Sequence, residues 1–190
     1  MLRYSIIIIL CLFVVLFARE RIRPEYDFKD SCFSLVYKID IPANLPEKDV
    51  LAILFNYNLV KDYSAKTNVK ISLIEENENT NKILYEYNYQ VAKLGVEMFR
   101  ERFVDDKKVE FQMQKYNRTA KIIPDVLSAG GSYQIIDGGK TLLYKQQTSM
   151  NKKINGIYTF FIKRDVQAYL KEIMNYLDEY ANKKNLAVSN

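Results

Sequence analysis

The chain has 190 residues, 48% of them apolar, enough for one domain with a real core plus an appendage. It contains no histidine, which excludes a Ser-His-Asp or Cys-His nucleophile, a histidine general base and any His-ligated metal. Two cysteines exclude a Cys-rich zinc site and a disulfide framework, and the net charge of +5 is too evenly mixed with acids to form a nucleic-acid stripe.

Arg3 precedes an uninterrupted apolar run from Ile6 to Ala18, followed by Arg19, Arg21, Arg23 and Pro24. A short basic region before such a core has the form of a secretory signal, and the run is shorter than a full membrane span. Two features oppose cleavage and export. Leu16 stands where a small residue belongs, and the arginines resist passage across a membrane. Residues 1–24 are therefore read as a signal peptide or an N-terminal membrane anchor. The chain is expected to be exported, periplasmic or secreted, or held at a membrane. Residues 25–190 are read as the folded domain, opening with a polar linker from Glu25 to Ser31.

Phe33, Leu35, Tyr37, Ile39 and Ile41 alternate with polar residues as in a half-buried strand. Pro46, Glu47 and Asp49 then open a helix, with proline and acids in its first turn. Its apolar positions run from Val50 to Leu59, and it breaks near Tyr63-Ser64-Ala65. Strands follow at Val69–Glu76, Lys82–Val91, Val96–Val104 and from Val109 to Met113. Gly130–Ile136 and Thr141–Met150 flank the hairpin signal Asp137-Gly138-Gly139. The last element is a helix over Tyr158–Lys184. Phe161, Val166, Tyr169, Leu170, Ile173, Met174, Leu177, Tyr180 and Ala181 form its apolar stripe. Strands in a meander with one apolar face, covered by a long helix, make an α+β layer fold.

The run Gly131-Ser132-Tyr133-Gln134-Ile135, followed by Gly138-Gly139-Lys140-Thr141-Leu142-Leu143-Tyr144, resembles a recurrent pair of strands in the START-like, or Bet v 1-like (SRPBCC), superfamily. Arg164-Asp165-Val166 through Leu170 is similar to the start of that superfamily's C-terminal helix, and the likeness extends over about Phe33 to Lys184. The branches it resembles are the polyketide cyclase-like and coenzyme Q-binding-like proteins. The resemblance implies a helix-grip fold, an antiparallel curved sheet of about seven strands wrapped around the C-terminal helix. It also implies an apolar cavity between them, where members bind lipids, sterols, quinones or polyketides.

Tyr85, Tyr87 and Tyr89 share one face of a strand, and Phe111 and Met113 are expected to join them across the sheet. With Phe99, Tyr144, Tyr169 and Ile173 they are the candidate ligand-binding residues. Amphipathic rings can line an apolar slot and offer hydroxyls to a polar head. Ordinary core or surface tyrosines are the alternative. Arg100 and Arg102 are assigned to the solvated face, with Phe99 and Phe103 inward; the rival reading makes them a cationic pair for an anionic head group. The carboxylate pairs Glu75-Glu76 and Asp105-Asp106 fall at turns and strand ends. No residue is assigned as catalytic, and no metal ligand or cofactor is expected. The first reading is a non-enzymatic binder of a hydrophobic small molecule or lipid, with membrane contact through the N-terminal segment and no nucleic-acid partner. The alternatives are a cyclase- or hydrolase-type enzyme and a protein-interaction module with a closed cavity.

Overall fold

The computed structural model describes residues 22–89, 92–121 and 123–188. Residues 1–21, which hold the apolar run Ile6–Ala18, lie outside the described residues, as does Val91. Among these residues eight strands form one antiparallel sheet: β1 Ile22–Lys29, β2 Cys32–Asp40, β3 Val69–Glu76, β4 Thr80–Tyr89, β5 Ala92–Phe103, β6 Lys108–Arg118, β7 Val126–Ile136 and β8 Thr141–Met150. Their spatial order is β1-β2-β8-β7-β6-β5-β4-β3. Among the described residues three α-helices accompany the sheet, α1 Glu47–Phe55, α2 Tyr57–Ser64 and α3 Gly156–Val188.

Two expectations about the first half of the chain need correction. The stretch Glu25–Ser31 is mostly strand and not linker. β1 begins at Ile22, pairs with β2 from Ile22↔Ile39 to Lys29↔Cys32, and is the eighth strand. Its apolar members, Tyr26 and Phe28, are too few for alternation to be read, but they sit across from Leu35 and Phe33 and pack on the core. The second correction concerns the first helix, which breaks at Asn56 before it ends at Ser64. Asn56 takes an extended conformation, and its side chain accepts hydrogen bonds from Asn58 N–H at 3.0 Å and Leu59 N–H at 3.4 Å. Asparagine caps a helix better than it continues one.

α3 is 33 residues long, roughly 50 Å at 1.5 Å per residue. Its C-terminal half lies on a sealed core, where Leu170, Ile173 and Leu177 meet Ile53, Leu54, Val60 and Ile83, all fully buried. Asn44 Nδ2 donates to Ala181 O at 3.2 Å and Lys184 pairs with Asp49, tying this half to α1 and the turn before it. The N-terminal half is gripped from both sides of the curved sheet. The Lys163 ammonium lies 4.3 Å from the Tyr26 ring centre on β1, and two residues later Asp165 accepts a 2.6 Å hydrogen bond from Tyr89 Oη on β4. A third correction falls on the helix stripe, since Phe161 faces solvent rather than the sheet.

Candidate functional site

Register fixes which side chains enter the space under α3. In β4, Ile83 and Tyr85 are buried, and Tyr87 and Tyr89 follow them on that face with their rings stacked 6.5 Å apart. The β4–β5 pairing sets Tyr87 against Leu94, Tyr85 against Val96, Ile83 against Met98 and Asn81 against Arg100. Even-numbered residues of β5 therefore point inward. Phe99, paired with Lys82 and Gln112, lies on the opposite face, so its assignment to the site is corrected.

The same register moves Arg100 from the solvated face to the interior, where it is 2% exposed. The apolar trio Leu94, Val96 and Met98 carried the right phase, but Phe99 and Phe103 carried the opposite one. Arg102, two residues on from Arg100, shares its face at the sheet end, where it is half-buried, bonded to Glu78 O and Asn79 Oδ1, with its guanidinium 4.8 Å from the Phe55 ring centre.

On β6, Phe111 joins Tyr133 and Tyr144 in an aromatic group, with ring centres 5.5 Å and 5.9 Å away and 5.0 Å between the two tyrosines. Met113 lies opposite Met98 and is half-buried. Tyr169 comes from α3 and meets the Tyr63 ring edge-on at 5.8 Å. Ile173 belongs to the sealed core under the other half of the helix. The structure thus brings together Tyr85, Tyr87, Phe111, Met113, Tyr144 and Tyr169, uses Tyr89 to hold Asp165, and leaves Phe99 outside and Ile173 in the core.

The covering of this inner face is uneven. β2 alternates cleanly, its inward residues Phe33 to Ile39 buried, whereas on β5 the inward Leu94, Val96 and Met98 keep partial exposure. Tyr87, Met113, Tyr116, Val166 and Tyr169 are also only half-buried. These side chains, on the sheet face and on the N-terminal half of α3, keep partial exposure where the rest of the core keeps none. A depression of about 550 Å³ opens at the sheet edge between α2 and β3, lined by Tyr57, Lys61, Asn68 and Asn88 among others.

Arg100 stands among Tyr63, Tyr85, Tyr133 and Tyr169. Its guanidinium donates to Leu54 O at the end of α1 and lies 5.8 Å from the Phe55 ring centre, while Nη1 has no partner. No carboxylate among the described residues pairs with it. Burial works against its charge, but the guanidinium is basic enough to stay protonated, and its pKa moves upward through coupling to Tyr85, Tyr63, Tyr169 and Tyr133. Asn81 Nδ2 donates to Phe55 O at 3.0 Å, leaving its Oδ1 unpartnered. Burial raises the pKa of Tyr85, Tyr87, Tyr133, Tyr144 and Tyr169, so these phenols are neutral donors and acceptors at ordinary pH. The described residues contain no group of three or more His, Cys, Asp or Glu able to hold a metal ion.

A sheet wrapped around a long C-terminal helix, with two short helices closing one end, has well-defined counterparts among solved structures. The Zhui aromatase/cyclase from Streptomyces sp. R1128 superposes with a TM-score of 0.59 at 12% identity, over 80% of this chain and 95% of that one. Ara h 8.0201 matches with a TM-score of 0.58 at 10% identity, over 78% and 99% of the two chains. The chain has the Bet v 1- and START-like fold. A STAR-related lipid transfer protein from Xanthomonas axonopodis shares this fold with a TM-score of 0.54 at 9% identity, over 84% of this chain and 99% of that one. No protein-family model matches the sequence, and no curated protein matches it significantly. The Bet v 1- and START-like fold suits both a carrier and a cyclase, and identities this low carry the fold alone.

Proposed function

We propose that the protein binds an amphipathic small molecule, lipid-like in its apolar part and acidic at its head, between the sheet and the N-terminal half of α3. One observation carries the reading: the inner face there is apolar and aromatic yet incompletely covered, while the rest of the core is sealed. Uncovered apolar surface inside a fold is unfavourable by about 25 cal/mol per Å², and a hydrophobic ligand removes that cost. Arg100 supplies the choice of head group. A buried cation without a counter-ion is costly, and a carboxylate or phosphate reaching Nη1 would relieve it. Structures of this fold include a lipid transfer protein as well as aromatase/cyclases, so the fold admits the carrier reading, and the choice of it over catalysis rests on the apolar, aromatic inner face. The apolar run Ile6–Ala18 supports placing the carrier at or beyond a membrane.

The test compares binding of cis-parinaric acid and its methyl ester to the full chain. The acid is expected to bind about tenfold tighter or better, a difference of ~1.4 kcal/mol. Arg100→Gln is expected to erase that preference while keeping the ester's affinity. Equal binding of acid and ester to the unaltered chain would remove Arg100 from the site. Failure to bind either would refute the carrier function itself.

A further inference from the structure

The outer face of the first turns of α3 bears a bare apolar stripe. Ile157, Phe160 and Phe161 are 66%, 61% and 43% exposed, and spacings of three and four set them on one side of the helix. The Phe160 and Phe161 rings meet edge to face at 5.6 Å. The stripe is not required by the core, because Ile162 and Val166 on the inner side of the same turns do the packing. Leu127, 63% exposed, lies two residues after Asp125, whose carbonyl accepts from Asn151 N–H in the loop that leads to α3.

The charge around this stripe is in positive excess, although Arg164 bridges Asp165 at 2.7 Å and Asp125 lies near Lys152. From Asn151 to Arg164 the chain carries Lys152, Lys153, Lys163 and Arg164 and no acidic residue. Farther along α3 the charges mix, as in Lys171 with Glu172 and Asp178 with Lys183. Exposed phenylalanine and isoleucine beside a cluster of lysines is the arrangement of a helix that lies in a membrane interface, rings among the upper acyl chains and cations at the phosphates.

We propose that the N-terminal tip of α3 docks on an anionic phospholipid surface. A second copy of the chain is a poorer occupant, because each copy would bring the same positive excess, led by Lys152 and Lys153, to the contact. Docking by the tip sets the loosely covered half of the α3–sheet space beside the bilayer. The stripe and its charge stand independently of what occupies that space.

The absence of tryptophan makes the test site-specific, since Phe160→Trp in the full chain places a single indole emitter at the stripe. The apolar run Ile6–Ala18 is present in every sample and can hold the chain on any vesicle, so the indole's emission is read instead of binding. With phosphatidylcholine vesicles containing phosphatidylglycerol, that emission is expected to shift to the blue and to be quenched by brominated acyl chains. Phosphatidylcholine alone should leave it unshifted, added salt should reverse the effect, and Lys152→Glu with Lys153→Glu should abolish it. An indole that stays fully solvated on chains that float with phosphatidylglycerol vesicles would overturn the proposal. So would a blue shift without vesicles that grows with protein concentration, which would assign the stripe to self-association.

Discussion

Gly131 sits where strand β7 passes between the Phe111 ring and strand β8. A Cβ there would stand 2.0 Å from Lys145 O and 2.6 Å from Phe111 Cζ, so backbone would have to move. This close approach explains the glycine of the Gly-x-Tyr strand without any need for positive φ. Gly130 is less crowded, its nearest neighbour being Phe111 O at 3.2 Å. Gly131→Ala is therefore expected to lower stability by ~1–3 kcal/mol or more, and Gly130→Ala by less, read from urea midpoints at unchanged m-value. At the same scale, Arg100 shows why residue type alone misleads. Written between Phe99 and Glu101 it looks solvated. Only its pairing with Asn81 turns it inward, beneath the break between α1 and α2.

Among the elements, the break at Asn56 decides how α1 and α2 cover the end of the sheet. The carbonyls of Leu54 and Phe55 at the end of α1 are answered by Arg100 and Asn81 from the sheet, and Asn56 caps α2. Asn56→Ala removes the cap without touching the core and is expected to cost about 1 kcal/mol, visible as a small fall in the thermal midpoint. α3 divides into two halves with different roles. Leu170, Ile173, Leu177 and Ala181 seal the core, whereas Val166 and Tyr169 stay half-buried. The apolar period of the stripe announced the first of these roles. The second needed the sheet's curvature, since Lys163 and Asp165 reach opposite flanks of the sheet only once it has wrapped around the helix.

For the whole molecule, the absence of histidine and the buried tyrosines set the response to pH. The phenols of Tyr63, Tyr85, Tyr87, Tyr133, Tyr144 and Tyr169 are raised by burial above their ordinary value near 10. The native state therefore holds these protons after the unfolded chain has released them. Their contribution is complete below pH ~10 and is lost as pH rises beyond it. Between pH 6 and 9 the thermal midpoint is expected to change little. Above pH ~10 it should fall, with tyrosinate absorbance at these positions appearing only as the chain unfolds.

The sequence by itself determined the layer fold, the long helix, most strand positions and the inward tyrosines of β4, because hydrophobic periodicity is a local consequence of burial on one face. It also determined what chemistry is excluded, since composition needs no geometry. Tertiary structure alone decided that Ile22–Lys29 joins the sheet, that Arg100 is buried while Phe99 is not, and that Ile173 seals the core while Tyr169 stands at its open side. Each of these depends on which residue lies opposite on a neighbouring strand or helix. A shift of one position in that pairing exchanges the two faces, and nothing in a single strand's own pattern records it.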